Sequence, residues 1–417
     1  MADILPFCGL RYNKKKVKEI NKTFAPPYDV ISPKEQAELY KQHPFNVVRL
    51  ILGKTSSADN QKNNRYTRAG NLFYKWIKDG ILVQDEKQSI YLYTQEYTFE
   101  GKAKKRIGFI AKMQFTGKGS LPHEHTLAKP KVDRVNLMRA VKANLSPIFS
   151  FYIDNKNEID KLLIPFAKEK PIISFKDKDK ITHRFWKIDD HMTIEKVKKL
   201  MSKKETFIAD GHHRYEVAKS FYEESLAKGE TGADGVMVYF TGFNDQNLSV
   251  MPTHRMVQDI PGLEKKIDSL NKYFNITQVD GLAAMLSTQA KTSGFSLGMC
   301  YKNDFYVLKM KDKVLLDQIM RKSPEQWRKL DVAMLNKVVF EHIFKLNEAE
   351  KEDKITYTRD PLFAVESVKN KKVGVVFFPN TTKAEQVKKI ALSGNRMPQK
   401  STYFYPKPIT GLVINKF

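Results

Sequence analysis

"FIADGHHRYEVAKS", residues 207–220, joins an apolar run to a helical pattern through Asp210-Gly211. "TFIAD" reads as a strand. "HHRYEVAKSFYEESLAKG" reads as a helix, with Tyr215, Ala218, Tyr222 and Leu226 on one stripe at three- and four-residue steps. A strand that enters a helix this way leaves backbone N–H groups without helical partners at the helix start. Those donors and the helix dipole favour an anion. Gly211 lets a phosphate come close to the backbone, and Arg214 adds a forked donor suited to phosphate oxygens. Three readings stay open here: a phosphate cradle, a metal site at His212 and His213, or a plain helix start capped by Asp210. Adjacent histidines converge on one ion only where the backbone turns sharply between them, so metal is the weakest of the three.

Outward from this turn the chain alternates strand and helix signals. Upstream, "SPKEQAELYKQ" has Ser32 as N-cap, Pro33 at the first helical position and Glu35 two residues on. "RYTRAGNLFYKWIKDG" is an amphipathic helix closed by Gly80. "SIYLYTQEYTFEGKAKKRIGFIAKMQF" alternates and turns at Glu100-Gly101, which predicts a β-hairpin. "DRVNLMRAVKANLSP" predicts a helix with Leu137, Val141 and Leu145 on one face, stopped before Pro147, and "IFSFYI" a strand. A charged stretch follows at 154–204. Downstream, "GVMVYFTGF" and "LSVMPTHRMV" read as strands, and "GLEKKIDSLNKYF" and "DVAMLNKVVFEHIF" as helices. The tail reads strand, helix, then an extended aromatic arm. The class is α+β, with boundaries expected near 90 and 257: an α/β segment at 1–90, a core at 91–257 with an insertion near 154–204, and an α/β region at 258–417.

Composition limits the function. Of 417 residues, 41% are hydrophobic and 11% aromatic, enough apolar surface to exclude a disordered chain. No apolar run approaches the roughly 20 residues that span a bilayer. The stretch "MADILPFCGLRYN" lacks the basic and apolar regions of a signal peptide. Cys8 and Cys300 are the only cysteines, too few for a disulfide framework or an all-cysteine metal site. A cytoplasmic location is the expectation. The net charge of +25 suits nucleic acid or an anionic small molecule, or simply a lysine-rich surface. The lysines are scattered and do not interleave with aromatics, which disfavours nucleic acid. The oligomeric state stays open.

Three further clusters carry chemistry. In "SLPHEHTLAKPKVDR", residues 120–134, His123 and His125 point one way from an extended segment and Glu124 the other. The pair could bind a metal, Glu124 could take a proton from a hydroxyl nucleophile, or the loop is merely polar. "MPTHRMV" places His254 and Arg255 at a strand end. "MPQKSTYFYPK", residues 397–407, alternates so that Ser401, Tyr403 and Tyr405 share a side, with Lys400 and Lys407 flanking them; the group could complete an anion site or serve core or interface packing. The common nucleotide and hydrolase signatures are absent, since no Gly-x-x-x-x-Gly-Lys-Ser/Thr loop, Gly-x-Ser-x-Gly elbow or His-Glu-x-x-His helix occurs.

Six ordered stretches resemble the family known as domain of unknown function 1015. They are "FAPPYDVIS", "HPFNVVRLIL", "LPHEHTLAKPKVDRVNLMRAVKANLSPIFSFY", "FIADGHHRYEVA", "MPTHR" and "MPQKSTYFYPKPITGLV". Locally, "IADGHHRYEVAKS" resembles the phosphate-binding turn of the ParB/sulfiredoxin superfamily. Within it, the free serine kinases carry an Asp-Gly-His-His-Arg turn and an upstream Pro-His-Glu segment, which "LPHEHT" matches. Sulfiredoxins place a cysteine in the turn, where this chain has His212-His213. ParB proteins usually carry a Glu-Arg-Arg turn and a helix-turn-helix, and neither is seen here.

The resemblance implies a ParB/sulfiredoxin-like mixed core with N- and C-terminal α/β additions. It implies that Gly211, His212, His213 and Arg214 hold phosphates, and that Glu124 takes the serine proton, with Asp210 and His212 beside it in catalysis. His123, Thr126, Arg134, Asn144, His254, Arg255, Lys400 and Ser401 are the candidates for the substrate side. The implied activity is phosphoryl transfer on free serine or O-phosphoserine, in either direction, with Mg²⁺ and ADP/ATP, or with pyrophosphate or water. The alternatives are a ParB-like nucleotide switch that contacts DNA and a metal-dependent hydrolase using His123, His125 and His212.

Overall fold

The computed structural model describes residues 2–115, 120–121, 128–244, 248–395, 397–398 and 400–417. The chain forms two compact units. The first comprises Met1–Pro122, Thr126–Ser249 and Pro406–Phe417; the second comprises His123–His125 and Val250–Tyr405.

The first unit is built on a nine-stranded mixed sheet. In chain order its strands are β1 (Ile4–Leu5), β2 (Ile90–Phe99), β3 (Lys102–Gln114), β4 (Ser120–Leu121), β5 (Ile148–Tyr152), β6 (Ile173–Lys176), β7 (Thr182–Ile188), β8 (Thr206–Asp210) and β9 (Gly235–Gly242). The spatial order is β4-β8-β5-β9-β3-β2-β7-β6, with β1 beside β3. β8 runs parallel to β4 and antiparallel to β5, and β5 runs parallel to β9. The remaining pairs are antiparallel. The hairpin β2–β3 turns where expected: Phe99 pairs with Lys102, and Glu100 and Gly101 both take positive φ, 50° and 74°. A two-residue turn of this hand matches the right-handed twist of its strands. Both faces of the sheet are covered. Ile90, Leu92, Phe109, Ala111, Val236, Val238 and Phe240 join one core. Tyr91 stacks on Phe185 at 5.4 Å and Tyr93 meets Tyr239 at 5.1 Å, on alternate residues of the same strands. That is why "IYLY" and "VMVYF" are apolar throughout.

Helices α1 (Pro33–Gln42), α2 (Arg65–Lys78), α3 (Ala128–Val141), α4 (His191–Met201) and α5 (His212–Ala227) belong to this unit. The capping box of α1 forms as read, with Ser32 and Glu35 each bonding the other's backbone N–H. Gly70 of α2 packs so tightly that an added Cβ would lie 2.7 Å from the Ala140 carbonyl oxygen of α3. Two expectations need correction. α3 stops at Val141 because Lys142 adopts φ 47°, so Leu145 lies beyond the helix and not on its face. The buried residues of α5 are His212, Val217, Ala218, Phe221 and Ser225, while Leu226 is 56% exposed. α5 lies against both α3 and β9, so its apolar surface is not one stripe. Tyr215 and Tyr222 instead flank Phe115, at 5.9 and 5.5 Å.

The second unit carries a six-stranded, wholly antiparallel sheet. Its strands are β10 (His254–Val257), β11 (Phe274–Val279), β12 (Ser296–Tyr301), β13 (Asp304–Met310), β14 (Ile355–Thr358) and β15 (Val375–Pro379), in the order β11-β13-β12-β15-β10-β14. Helices α6 (Gly281–Lys291) and α7 (Pro361–Lys369) cover it through Met285, Ala364, Val365 and Val368. The run expected as one helix over 331–344 has one α-turn, Asp331–Met334, and then a wider π-helical segment, Leu335–Ile343.

Candidate functional site

β8 is buried along its whole length; β4 flanks its first two residues and β5 pairs along it as far as Asp210. The chain leaves it through Gly211, at φ 91° and ψ 30°. A side chain at 211 would be strained twice over. The backbone lies in the left-handed region, and an added Cβ would sit 2.9 Å from Cζ of Arg214. α5 starts at once, with Gly211 as its N-cap and no side chain capping it. Asp210 is therefore not the cap.

The Asp210 carboxylate instead holds two cations. Its Oδ2 accepts from Arg214 Nη2 at 2.5 Å, and its Oδ1 accepts from Lys407 Nζ. All three side chains are about nine-tenths buried. Arg214 Nη1 donates to the Pro147 carbonyl, so the guanidinium lies back over the glycine. Arg214 Nε is sealed from solvent and finds no acceptor among the described residues. The three formal charges sum to +1, which suits an anion at the mouth of the turn. His212 is buried and His213 half-buried at the start of α5.

Lys407 is placed by segment 406–417, which belongs to the first unit. The Lys407 carbonyl accepts from Gln95 Nε2 at 3.0 Å, and Arg106 donates both to Gln95 Oε1 and to the Pro406 carbonyl. Further along, Thr410 pairs with Ala25, Ile414 with Leu10, and Phe417 stacks on Phe221 of α5 at 5.8 Å.

Arg134, Asn144 and Arg214 line one cavity of about 50 Å³, together with Tyr28 and Ser146. It has room for water but is far below the roughly 300 Å³ of a small-molecule pocket. Arg134 lies 3.9 Å over the Tyr28 ring and pairs with Asp133. Burial, aided by Asp29, pushes the Tyr28 hydroxyl up to about 12, against the pull of Arg134 and Arg214. Asn144 has structural work: its Oδ1 accepts from Met237 N and Asn415 Nδ2, at 3.0 and 3.1 Å.

His254, Arg255, Lys400 and Ser401 form a cluster within the second unit. Arg255 donates to the carbonyls of Thr253 and Lys400. Ser401 donates to the Pro398 carbonyl, and Thr382 donates to the Ser401 carbonyl at 3.2 Å. His254 is buried against Phe378 with Nδ1 unpartnered, and burial, reinforced by Arg255, pulls its pKa down to about 4. His123, Glu124, His125 and Thr126 lie outside the described residues.

Sequence reasoning passed over Tyr28 and Ser146, and it named Lys407 only as one of several residues of the aromatic arm that could complete an anion site, without a partner for it. Lys407 had one signal: the prolines on either side of it, at 406 and 408, keep it extended and out of any helix.

A seat for Mg²⁺ is not found at the described part of the turn, since both oxygens of Asp210 already face cations. Among the described residues, no group of three His, Cys, Asp or Glu could hold a metal ion. No helix among them is long and apolar enough to cross a membrane.

No curated protein matches the chain. Among solved structures it is similar to a conserved hypothetical protein from Pyrococcus furiosus, at 11% identity and TM-score 0.37, over 68% of this chain and 86% of that one. It is similar to a free serine kinase in complex with AMP, at 10% identity and TM-score 0.35, over 68% and 83%. It is similar to SbnI with C-terminal truncation from Staphylococcus aureus, at 10% identity and TM-score 0.38, over 73% and 86%. One family model, described as a protein of unknown function, matches residues 4–333, and the chain belongs to that family, DUF1015.

Proposed function

We propose that the chain is a phosphotransferase acting on free L-serine or O-phosphoserine, with the Asp210–Arg214 turn as its phosphate site. One observation carries the reading: a fully buried strand delivers Gly211 in the left-handed conformation to a helix start that no side chain caps, beside an arginine with an unused donor. An unmade hydrogen bond of this kind costs about 1–3 kcal/mol, and a ligand oxygen would supply the missing acceptor.

In the forward direction the serine Oγ attacks the terminal phosphorus of a nucleoside triphosphate. The new O–P bond forms as the bond to the leaving diphosphate breaks, and the hydroxyl proton passes to Glu124. The backbone N–H groups at the start of α5 and the Arg214 guanidinium stabilise charge on the phosphoryl oxygens. Gly211 admits the phosphate, while Asp210 fixes the guanidinium. His212 and His213 are further donors to the phosphates. Arg134 is proposed for the substrate. In reverse, phosphoserine gives its phosphoryl group to a nucleoside diphosphate, pyrophosphate or water.

Phosphorus NMR tests this directly. The protein is incubated with serine and ATP, then with phosphoserine and ADP, pyrophosphate or water. Growth of one phosphomonoester signal at the expense of another identifies reaction and acceptor together. Glu124→Gln should remove most turnover and spare ligand binding. Arg214→Ala should weaken binding of AMP or phosphoserine by about 1–3 kcal/mol in calorimetry. No transfer in any combination would sink the reading. Tight, steeply salt-dependent DNA binding without turnover would favour a nucleotide-binding switch instead.

A further inference from the structure

Lys407 reaches Asp210 from 197 residues along the chain. An arginine and a carboxylate that meet alone prefer a two-pronged contact, with two parallel N–H groups on the two oxygens. Arg214 does not achieve it. Nη2 takes Oδ2, Lys407 Nζ faces Oδ1, and the neighbouring Nε of Arg214 stays buried without an acceptor. The unused donor and the lysine at the other oxygen are two sides of one arrangement.

We propose that Lys407 is a positioning residue of the phosphate site: by engaging Oδ1 of Asp210 it blocks the two-pronged pair and keeps Arg214 Nε available to an anionic ligand. The inference rests on the phosphate reading of the turn. It makes segment 406–417 part of the site. That segment is anchored accordingly: Gln95 and Arg106 hold its start at the carbonyls of Lys407 and Pro406, and Phe417 stacks on Phe221 of the helix that the turn begins. The lysine is itself about nine-tenths buried, so its ammonium is not left to sample solvent.

A purely structural lysine and a positioning lysine differ in what its loss does. Lys407→Met removes the charge and keeps most of the volume. If Lys407 positions Arg214, Asp210 closes on the guanidinium with both oxygens, the fold keeps its melting temperature, and affinity for pyrophosphate and AMP falls by about tenfold or more, the scale of one charged hydrogen bond. Lys407→Arg, which still reaches Oδ1, should restore most of the affinity. Two measurements decide it: calorimetric titration of wild type and both variants with each probe, and a crystal structure of Lys407→Met, in which Arg214 Nε should lie within hydrogen-bond distance of Asp210 Oδ1. Wild-type binding that Lys407→Met leaves unchanged overturns this proposal alone, as does a variant crystal in which Nε still lacks an acceptor. A loss of affinity that tracks a fall in melting temperature, without rescue by arginine, also overturns it and makes the lysine structural. Failure of the wild type to bind either probe overturns the phosphate reading, and this proposal with it.

Discussion

The two units each bury basic side chains, and burial acts on them in different ways. At the turn of the first unit, Arg214 and Lys407 share the carboxylate of Asp210. In the second, Arg255 points its donors at the carbonyls of Thr253 and Lys400, and its neighbour His254 stays neutral to well below ordinary pH with Nδ1 unpartnered. A full counter-charge holds charge in place and keeps it fixed. A histidine ring nitrogen without a partner instead answers burial by giving up its proton. The first arrangement suits a rigid anion site. The second ties its environment to pH.

The sharpest way to break the comparison is Asp210→Ala. It leaves two buried cations facing each other, and loss of one partner from a buried ion pair costs about 3–5 kcal/mol. Urea unfolding should show it, and a loss below about 1 kcal/mol would mean that Asp210 does not organise the cluster. The pH experiment on His254 comes next. Its folded pKa, about 4, lies below the unfolded value near 6.5, so the unfolded chain takes up a proton first as pH falls. Its contribution is intact above about pH 6.5 and is lost progressively down to about pH 4, on the order of 3 kcal/mol at full loss. His254→Phe should flatten that window in the stability–pH curve, and an unchanged slope would mean that the histidine does not respond to its burial. The smallest effect is Gly211→Ala, about 1–2 kcal/mol for the left-handed backbone. It should also displace the Arg214 guanidinium and weaken pyrophosphate binding. Wild-type affinity together with wild-type stability would show the turn to be looser than its φ implies.

Much of this architecture is legible locally. Thr206–Asp210, the helix from His212, the Glu100-Gly101 turn and the Ser32–Glu35 capping box follow from residues within one or two turns of each other. Legibility ends where packing partners are distant. The buried face of α5 depends on α3 and β9, so Val217 and Phe221 displace the stripe that spacing alone suggests. Leu145 fits a helical period, but Lys142 ends the helix first. At the site, Gly211 and Arg214 stand out from their spacing alone. Lys407 is legible only as one candidate among several, because Gln95 and Arg106, hundreds of residues away, hold the backbone that brings it to Asp210.

The order in which the units occur along the chain has a consequence for synthesis. Residues 250–405 make up nearly all of the second unit, and they leave the ribosome before residues 406–417, which complete the first. The larger part of the first unit is synthesised before residues 250–405, and Asp210 and Arg214 lack Lys407 until those residues have been translated. The Asp210–Arg214 turn is thus the part of the first unit that is completed last. A nascent chain cut short before Pro406 would carry every residue of the Asp-Gly-His-His-Arg motif without the lysine that pairs with Asp210.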